Sequence, residues 1–198
     1  MGKIYCLMGK SSSGKDTIFK NLLEQNQLNL QTIVSYTTRP IRLGEVDGSE
    51  YFFVDTLKLE ELEKAGKVIE LRGYNTFHGV WKYFTVDDEQ IDLNNHNYLM
   101  IGTLESYQKI RDFYGENSVV PMLIELDDGE RLQRALDREK EQEHPKYQEL
   151  CRRFLADEED FEEEKLRTLQ IKHRFQNNNL DHCLEEIIMF MRKQDEIE

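Results

Sequence analysis

Two glycines and a lysine, in Gly9-Lys10-Ser11-Ser12-Ser13-Gly14-Lys15-Asp16-Thr17, stand between an apolar run of strand length, Ile4-Tyr5-Cys6-Leu7-Met8, and a helical pattern. Ile18, Phe19, Leu22 and Leu23 recur at helical spacing and mark one apolar face. Strand, glycine loop and helix in this order form the context a phosphate-binding loop requires. The glycines let the backbone curl so that its N–H groups point at phosphate oxygens. The helix N-terminus adds a favourable dipole, and Lys15 supplies a point charge for β- and γ-phosphates. Position 16 is Asp, where Ser or Thr normally gives Mg²⁺ a hydroxyl. A carboxylate is also a hard oxygen ligand, so Asp16 is a candidate metal ligand.

The chain of 198 residues has a net charge of −13, which makes nucleic-acid backbones and anionic membranes poor partners. A ligand carrying phosphates therefore requires local basic clusters set against that field. Cys6, Cys151 and Cys183 lie far apart without metal-ligand spacing, and an unpaired set of three suggests a reducing compartment. The first apolar run is too short to span a bilayer and opens a folded motif. These features lead to the expectation of a soluble cytoplasmic protein.

Strand-type runs recur around 3–8, 30–36, 50–54, 67–71, 97–101, 119–126 and 172–176. Helical periodicity falls at 16–25, 56–65, 85–93, 104–114, 129–140, 146–166 and 180–193, with Thr56 and Thr85 as expected N-caps. Mainly apolar strands separated by helices predict an α/β fold, a parallel sheet covered on both faces. Residues 36–88 differ, with short strands, five glycines and many aromatics, and read as a small mixed β insertion. Residues 127–167 interleave arginines with acidic residues on long helices.

Within the insertion, Ser35-Tyr-Thr-Thr-Arg39-Pro-Ile-Arg42-Leu-Gly44-Glu45 carries two arginines three apart beside a Pro40 turn. Such a pair can converge on one phosphate through charge-assisted bonds. Asp47-Gly48 is a tight-turn signal that folds Tyr51 back toward them. Residues 35–53 closely resemble the signature of the guanylate kinase family, Ser-x-Thr-Thr-Arg-x-x-Arg-x-Gly-Glu-x-x-Gly-x-(Asp/Glu)-Tyr-x-Phe. Val68-Ile69-Glu70 and Phe77-His78-Gly79 resemble two further family segments. Arg131 to Arg138 with Arg152-Arg153 resemble its lid helices, and Phe175-Gln176-Asn177 resembles its final strand and the turn beside adenine. The family's Asp-x-Asp after the central strand is replaced by Gly102-Thr103-Leu104-Glu105.

The resemblance implies a P-loop core over 1–34 and 94–198, a helical lid at about 131–160, and a nucleoside-monophosphate-binding insertion over 35–93, all in one compact unit. It implies a kinase that transfers phosphoryl from ATP, with Mg²⁺, to a nucleoside monophosphate, GMP or dGMP foremost. Gly9, Ser11, Ser12, Ser13, Gly14, Lys15, Asp16, Thr17 and Asn177 would bind ATP. Ser35, Arg39, Arg42, Tyr51, Glu70 and His78 would bind the monophosphate, with Ser35 and Glu70 reading the guanine edge. Lys15, Arg134, Arg138 and Arg153 would neutralise the transferring group. Two other readings stay open: a kinase for another nucleotide or phosphorylated metabolite, and a catalytically weak domain that binds a phosphorylated partner.

Overall fold

A computed structural model describes residues 2–25, 28–42, 44–76 and 79–196. Strand β1 (Ile4–Met8) is buried along its whole length, which is why its sequence is apolar at every position. It lies at the centre of a five-stranded sheet ordered β2-β7-β1-β8-β9, in which β2 is Leu30–Thr32, β7 Asn97–Ile101, β8 Val119–Glu125 and β9 Arg174–Gln176. Every pairing in it is parallel.

Alternate residues of β1 feed two cores. Ile4, Cys6 and Met8 pack with Leu104, Tyr107 and Ile110 of α3 (Leu104–Tyr114) and with Leu166 of α6 (Glu163–Thr168). Tyr5 and Leu7 pack on the opposite face with Ile18 and Leu22 of α1 (Lys15–Glu24) and with Cys183, Ile187 and Met191 of α7 (Leu180–Glu196). The expected α/β architecture is thus present.

The insertion forms a second sheet, β4-β3-β6-β5, from β3 (Tyr36–Thr37), β4 (Phe52–Phe53), β5 (Val68–Thr76) and β6 (Gly79–Val86). One face buries Phe84 and Val86, with Tyr36 and Leu71 packed against them, onto Leu59 of α2 (Thr56–Lys64). The register explains the other face. Val68 opposes Val86, but Glu70 opposes Thr85, so one extra residue is inserted in β5. This bulge shifts the pleat by one. Glu70, Arg72 and Tyr74 consequently face away from α2, opposite Thr85, Tyr83 and Trp81.

Three expectations need correction. The helix foreseen at 85–93 is absent: Thr85 and Val86 complete β6, where Thr85 is an interior strand residue and not an N-cap. A β-branched residue paired across a sheet satisfies its backbone there, so a capping signal has nothing to act on. Helix α2 is capped by Asp55, whose carboxylate accepts from the Lys58 N–H at 2.8 Å, one residue before the expected Thr56. The expected helix over 146–166 is broken into α5 (Tyr147–Asp160) and α6, because Phe161 turns inward to pack on the core beneath β1. Among the described residues, no helix is long and apolar enough to cross a membrane.

All three cysteines are free; Cys6 and Cys183 are buried and Cys151 on α5 is exposed. Burial pushes the Cys6 thiol up to about 12 and the Cys183 thiol up to about 11. Both therefore keep their protons at pH 8, where the thiolate is the reactive species. Titration with a thiol reagent at pH 8 is expected to modify one cysteine in the folded protein and all three after denaturation. Rapid native labelling of a second cysteine would contradict this.

Candidate functional site

The glycine loop turns sharply between β1 and α1. Ser12 lies at φ 63° and Gly14 at φ 90°, so two loop residues occupy the left-handed region. Such conformations cost on the order of 1–3 kcal/mol for a non-glycine residue and cluster at ligand sites. Gly14 is required twice over: besides its φ, a Cβ there would come within 2.2 Å of Asn177 Nδ2. Asn177 is buried and donates from Nδ2 to the Ser13 carbonyl at 2.7 Å, so it braces the loop from beneath. Helix α1 begins at Lys15 behind Gly14, and no side chain caps its first N–H groups. Those donors and the dipole are left for an anion. Asp16 and Thr17 lie exposed in the first turn.

A carboxylate already sits on the loop. The Ser11 N–H donates to Asp157 Oδ2 at 2.8 Å and the Ser11 hydroxyl to Oδ1 at 3.2 Å. Next to it, Lys10 pairs with Glu158 at 2.6 Å and with Asp128 at 3.5 Å. The centre of this network is Arg131 on α4 (Asp128–Lys140), 1% exposed, with Asp128 at 3.1 Å, Glu158 at 3.2 Å and Asp157 at 3.7 Å. Its guanidinium lies over the Phe154 ring of α5, 4.8 Å from the centroid. Loop, α4 and α5 are thereby joined through one buried cation.

The lid arginines gather at the same place. Arg138 donates to the Ser12 hydroxyl at 3.2 Å. Arg134 lies beside the helix N-terminus, its Nη1 3.7 Å from where a Gly14 Cβ would stand. Arg153 lines a small cavity with Ser11, Ser12 and Arg138, and also lies 3.8 Å from Glu149. The structure thus brings Gly9 through Thr17, Arg134, Arg138, Arg153 and Asn177 together, with Asn177 under the loop.

The other predicted residues, among those described, belong to the small-sheet insertion. Arg39 is buried and pairs with Glu45 through two bonds, Nη2 to Oε1 at 2.8 Å and Nη1 to Oε2 at 3.0 Å. That bond holds the Glu45 carboxyl below its usual range. The Arg39 guanidinium also lies 5.6 Å from the centroid of the Tyr51 ring and 5.4 Å from that of Phe53. The Arg42 N–H donates to Glu45 at 2.7 Å, leaving its side chain outside the Arg39 pair. Ser35 precedes β3, where its carbonyl accepts from the Phe52 N–H. Glu70 is buried, and both of its oxygens are engaged by Arg72 and Thr85. His78 and Phe77 fall outside the described residues.

Sequence reasoning passed over Arg72 and Asp157, quoted Glu45 without giving it a role, and took Glu158 as part of a solvated helix face, whereas it pairs with Arg131 and Lys10. Arg72 had a legible signal, since residues two apart on a strand share a face with Glu70. Asp157 and Glu158 sat within a run of acidic helix residues with nothing to distinguish them.

A parallel sheet led by a curled glycine loop, with an uncapped helix N-terminus and arginines converging on it, defines a P-loop nucleotide-binding α/β protein. The guanylate kinase family model matches residues 1–194, and the chain belongs to that family. It is 34% identical to the Streptococcus mutans guanylate kinase over 131 residues, 64% of this chain and 61% of the relative. Over 69 residues it is 46% identical to the Rhodopseudomonas palustris guanylate kinase, covering 35% of this chain and 31% of that one. These alignments span less than two thirds of the relatives' own length. The crystal structure of the Anaplasma phagocytophilum guanylate kinase superposes with a TM-score of 0.63 at 23% identity, covering 98% of this chain and 86% of that one, and shares the fold.

The buried junction yields a contrast in stability. Removing one partner of a buried charge cluster leaves the others uncompensated and costs about 3–5 kcal/mol, whereas a partly exposed pair contributes about 1 kcal/mol or less. Arg131→Met is therefore expected to lower unfolding free energy several-fold more than Lys10→Met, measured by urea denaturation. Equal losses would show that the junction is not held through Arg131.

Proposed function

We propose that the protein transfers the γ-phosphoryl group of ATP to GMP or dGMP. The observation that carries this reading is the convergence of Lys15, Arg134, Arg138 and Arg153 on an uncapped, left-handed glycine loop. Phosphoryl transfer needs no protein nucleophile: the acceptor phosphate attacks in line, and charge on the equatorial oxygens must be stabilised by fixed cations. The loop N–H groups would hold the ATP phosphates, with Lys15 bridging β and γ. Arg138 and Arg153, on facing helices, would close on the transferring group.

Arg39, Arg42 and Tyr51 would bind the acceptor phosphate, with Ser35 and His78 as further contacts. Guanidinium on two aromatic faces is preorganised for a planar, bidentate acceptor. The unit would operate as a core over 1–34 and 94–198, a lid at about 131–160 and an insertion over 35–93, closing to exclude water.

Among the described residues, no group of three or more His, Cys, Asp or Glu could hold a metal on its own. The donor set nevertheless fits Mg²⁺, which commonly takes one or two carboxylates and completes its shell with substrate phosphates and water. Asp16, exposed in the first turn of α1, would be that carboxylate. Mg²⁺ would neutralise charge between the β- and γ-phosphates. Three free thiols fit a reducing compartment such as the cytoplasm.

The test is a coupled ADP-release assay with ATP·Mg²⁺ and a panel of nucleoside monophosphates. Turnover with GMP and dGMP is expected, falling on the order of 100-fold or more in Lys15→Ala, as loss of one charge-stabilising donor does elsewhere. ATP binding without turnover on any monophosphate would overturn the assignment.

A further inference from the structure

The Glu70 carboxylate faces inward: its side chain is fully buried, while that of Arg72 is 16% exposed. Arg72 donates from Nε to Oε2 at 2.9 Å and from Nη2 to Oε1 at 3.2 Å, and the Thr85 hydroxyl donates to Oε1 at 2.9 Å. The edge of the carboxylate that could accept two adjacent base donors is therefore occupied by a guanidinium. Because a guanidinium is planar with five N–H groups, these two bonds leave its outer fork, Nη1–H with the second Nη2–H, directed away from Glu70.

Arg72 lines a cavity of about 610 Å³ together with Tyr74, Thr103, Glu105, Gln108 and Phe161. That size suits a small ligand. The Arg39 guanidinium lies 5.6 Å from the centroid of the Tyr51 ring, the Tyr51 and Tyr83 rings meet edge-on with centroids 5.5 Å apart, and Tyr83 stands opposite Arg72 in register, so Tyr51 and Tyr83 connect the two arginines. A monophosphate anchored at Arg39 would thus extend its base toward Arg72.

We infer that Arg72 is the base-specificity residue, reading a purine through its O6/N7 acceptor edge, with Glu70 as a positioning residue that aims the guanidinium. This rests on the purine-monophosphate reading above. Arginine bidentate to O6 and N7 is the commonest specific contact to guanine. Hypoxanthine offers the same edge without the 2-amino group, whereas adenine places an N–H₂ donor against the guanidinium. The site therefore accepts IMP as it accepts GMP and rejects AMP. A bare carboxylate reading N1–H and N2–H₂ would instead separate GMP from IMP.

The experiment measures equilibrium binding of GMP, IMP and AMP to the full chain by calorimetry, alongside kcat/KM for transfer from ATP·Mg²⁺. GMP and IMP are expected to bind within about threefold of each other, and AMP about 10- to 100-fold more weakly. Arg72→Met is expected to weaken GMP and IMP equally, while Glu70→Gln, which keeps shape and one acceptor, leaves their ratio near one. Should Arg72→Met not fold, Arg72→Lys keeps the charge but loses the fork and is expected to lose discrimination against AMP. A GMP preference over IMP of about 30-fold or more, abolished by Glu70→Gln, would overturn the inference with the kinase reading intact. Equal GMP and IMP binding without transfer would overturn the kinase reading and uphold the inference. No purine binding at all would overturn the inference.

Discussion

The guanidinium of Arg131 sets conditions that its surroundings must meet. A charge removed from water in a protein interior is costly unless it is paired and hydrogen-bonded. Arg131 meets most of that demand with hydrogen bonds from Nε to Asp128 of its own helix and from Nη2 to Glu158 of α5, while its Nη1 lies 3.7 Å from Asp157 and makes no hydrogen bond. Those carboxylates then have capacity to spare, and they spend it on the glycine loop, at the Ser11 N–H and at Lys10. One buried cation thus ties α5 to α4 and, through Asp157 and Glu158, to the loop, where Arg138 and Arg153 lie near Ser12.

The small sheet obeys a different constraint, the parity of its pleat. Without the extra residue between Val68 and Glu70, Glu70 would oppose Phe84 and point into the apolar contact with α2. The bulge sends apolar Val68, Leu71 and Phe84 one way and Glu70, Arg72, Thr85 and Tyr83 the other. Since Thr37 opposes both Phe53 and Tyr83, the same face continues across the sheet to Arg39, two residues on. One inserted residue thus separates packing from recognition.

Much of this could be read in the chain. The burial of β1 follows from its unbroken apolar run, and the loop follows from Gly9, Gly14 and Lys15, because strand, curl and helix constrain one another over few residues. What escaped depends on partners distant in sequence. Thr85 reads as a cap locally, yet its partner is Glu70, fifteen residues earlier on the neighbouring strand. The break at Phe161 is decided by a core that α5 alone does not contain. Strand parity could have marked Arg72, but only once the bulge was known.

The electrostatics share one theme. In a chain of net charge −13, the buried cations Arg39 and Arg131 and the partly buried Arg72 each carry a carboxylate of the same chain. A phosphate reaching Arg39 meets a guanidinium already held by Glu45, and one reaching Ser11 meets Asp157. Binding there is an exchange of one anion for another, and its net gain is smaller than the bare attraction suggests. The helix N-terminus at Gly14 and Lys15, with no side-chain cap, holds no such competitor. An incoming polyphosphate therefore gains most at that end first, and its negative charge then favours exchange at the loop carboxylates nearby.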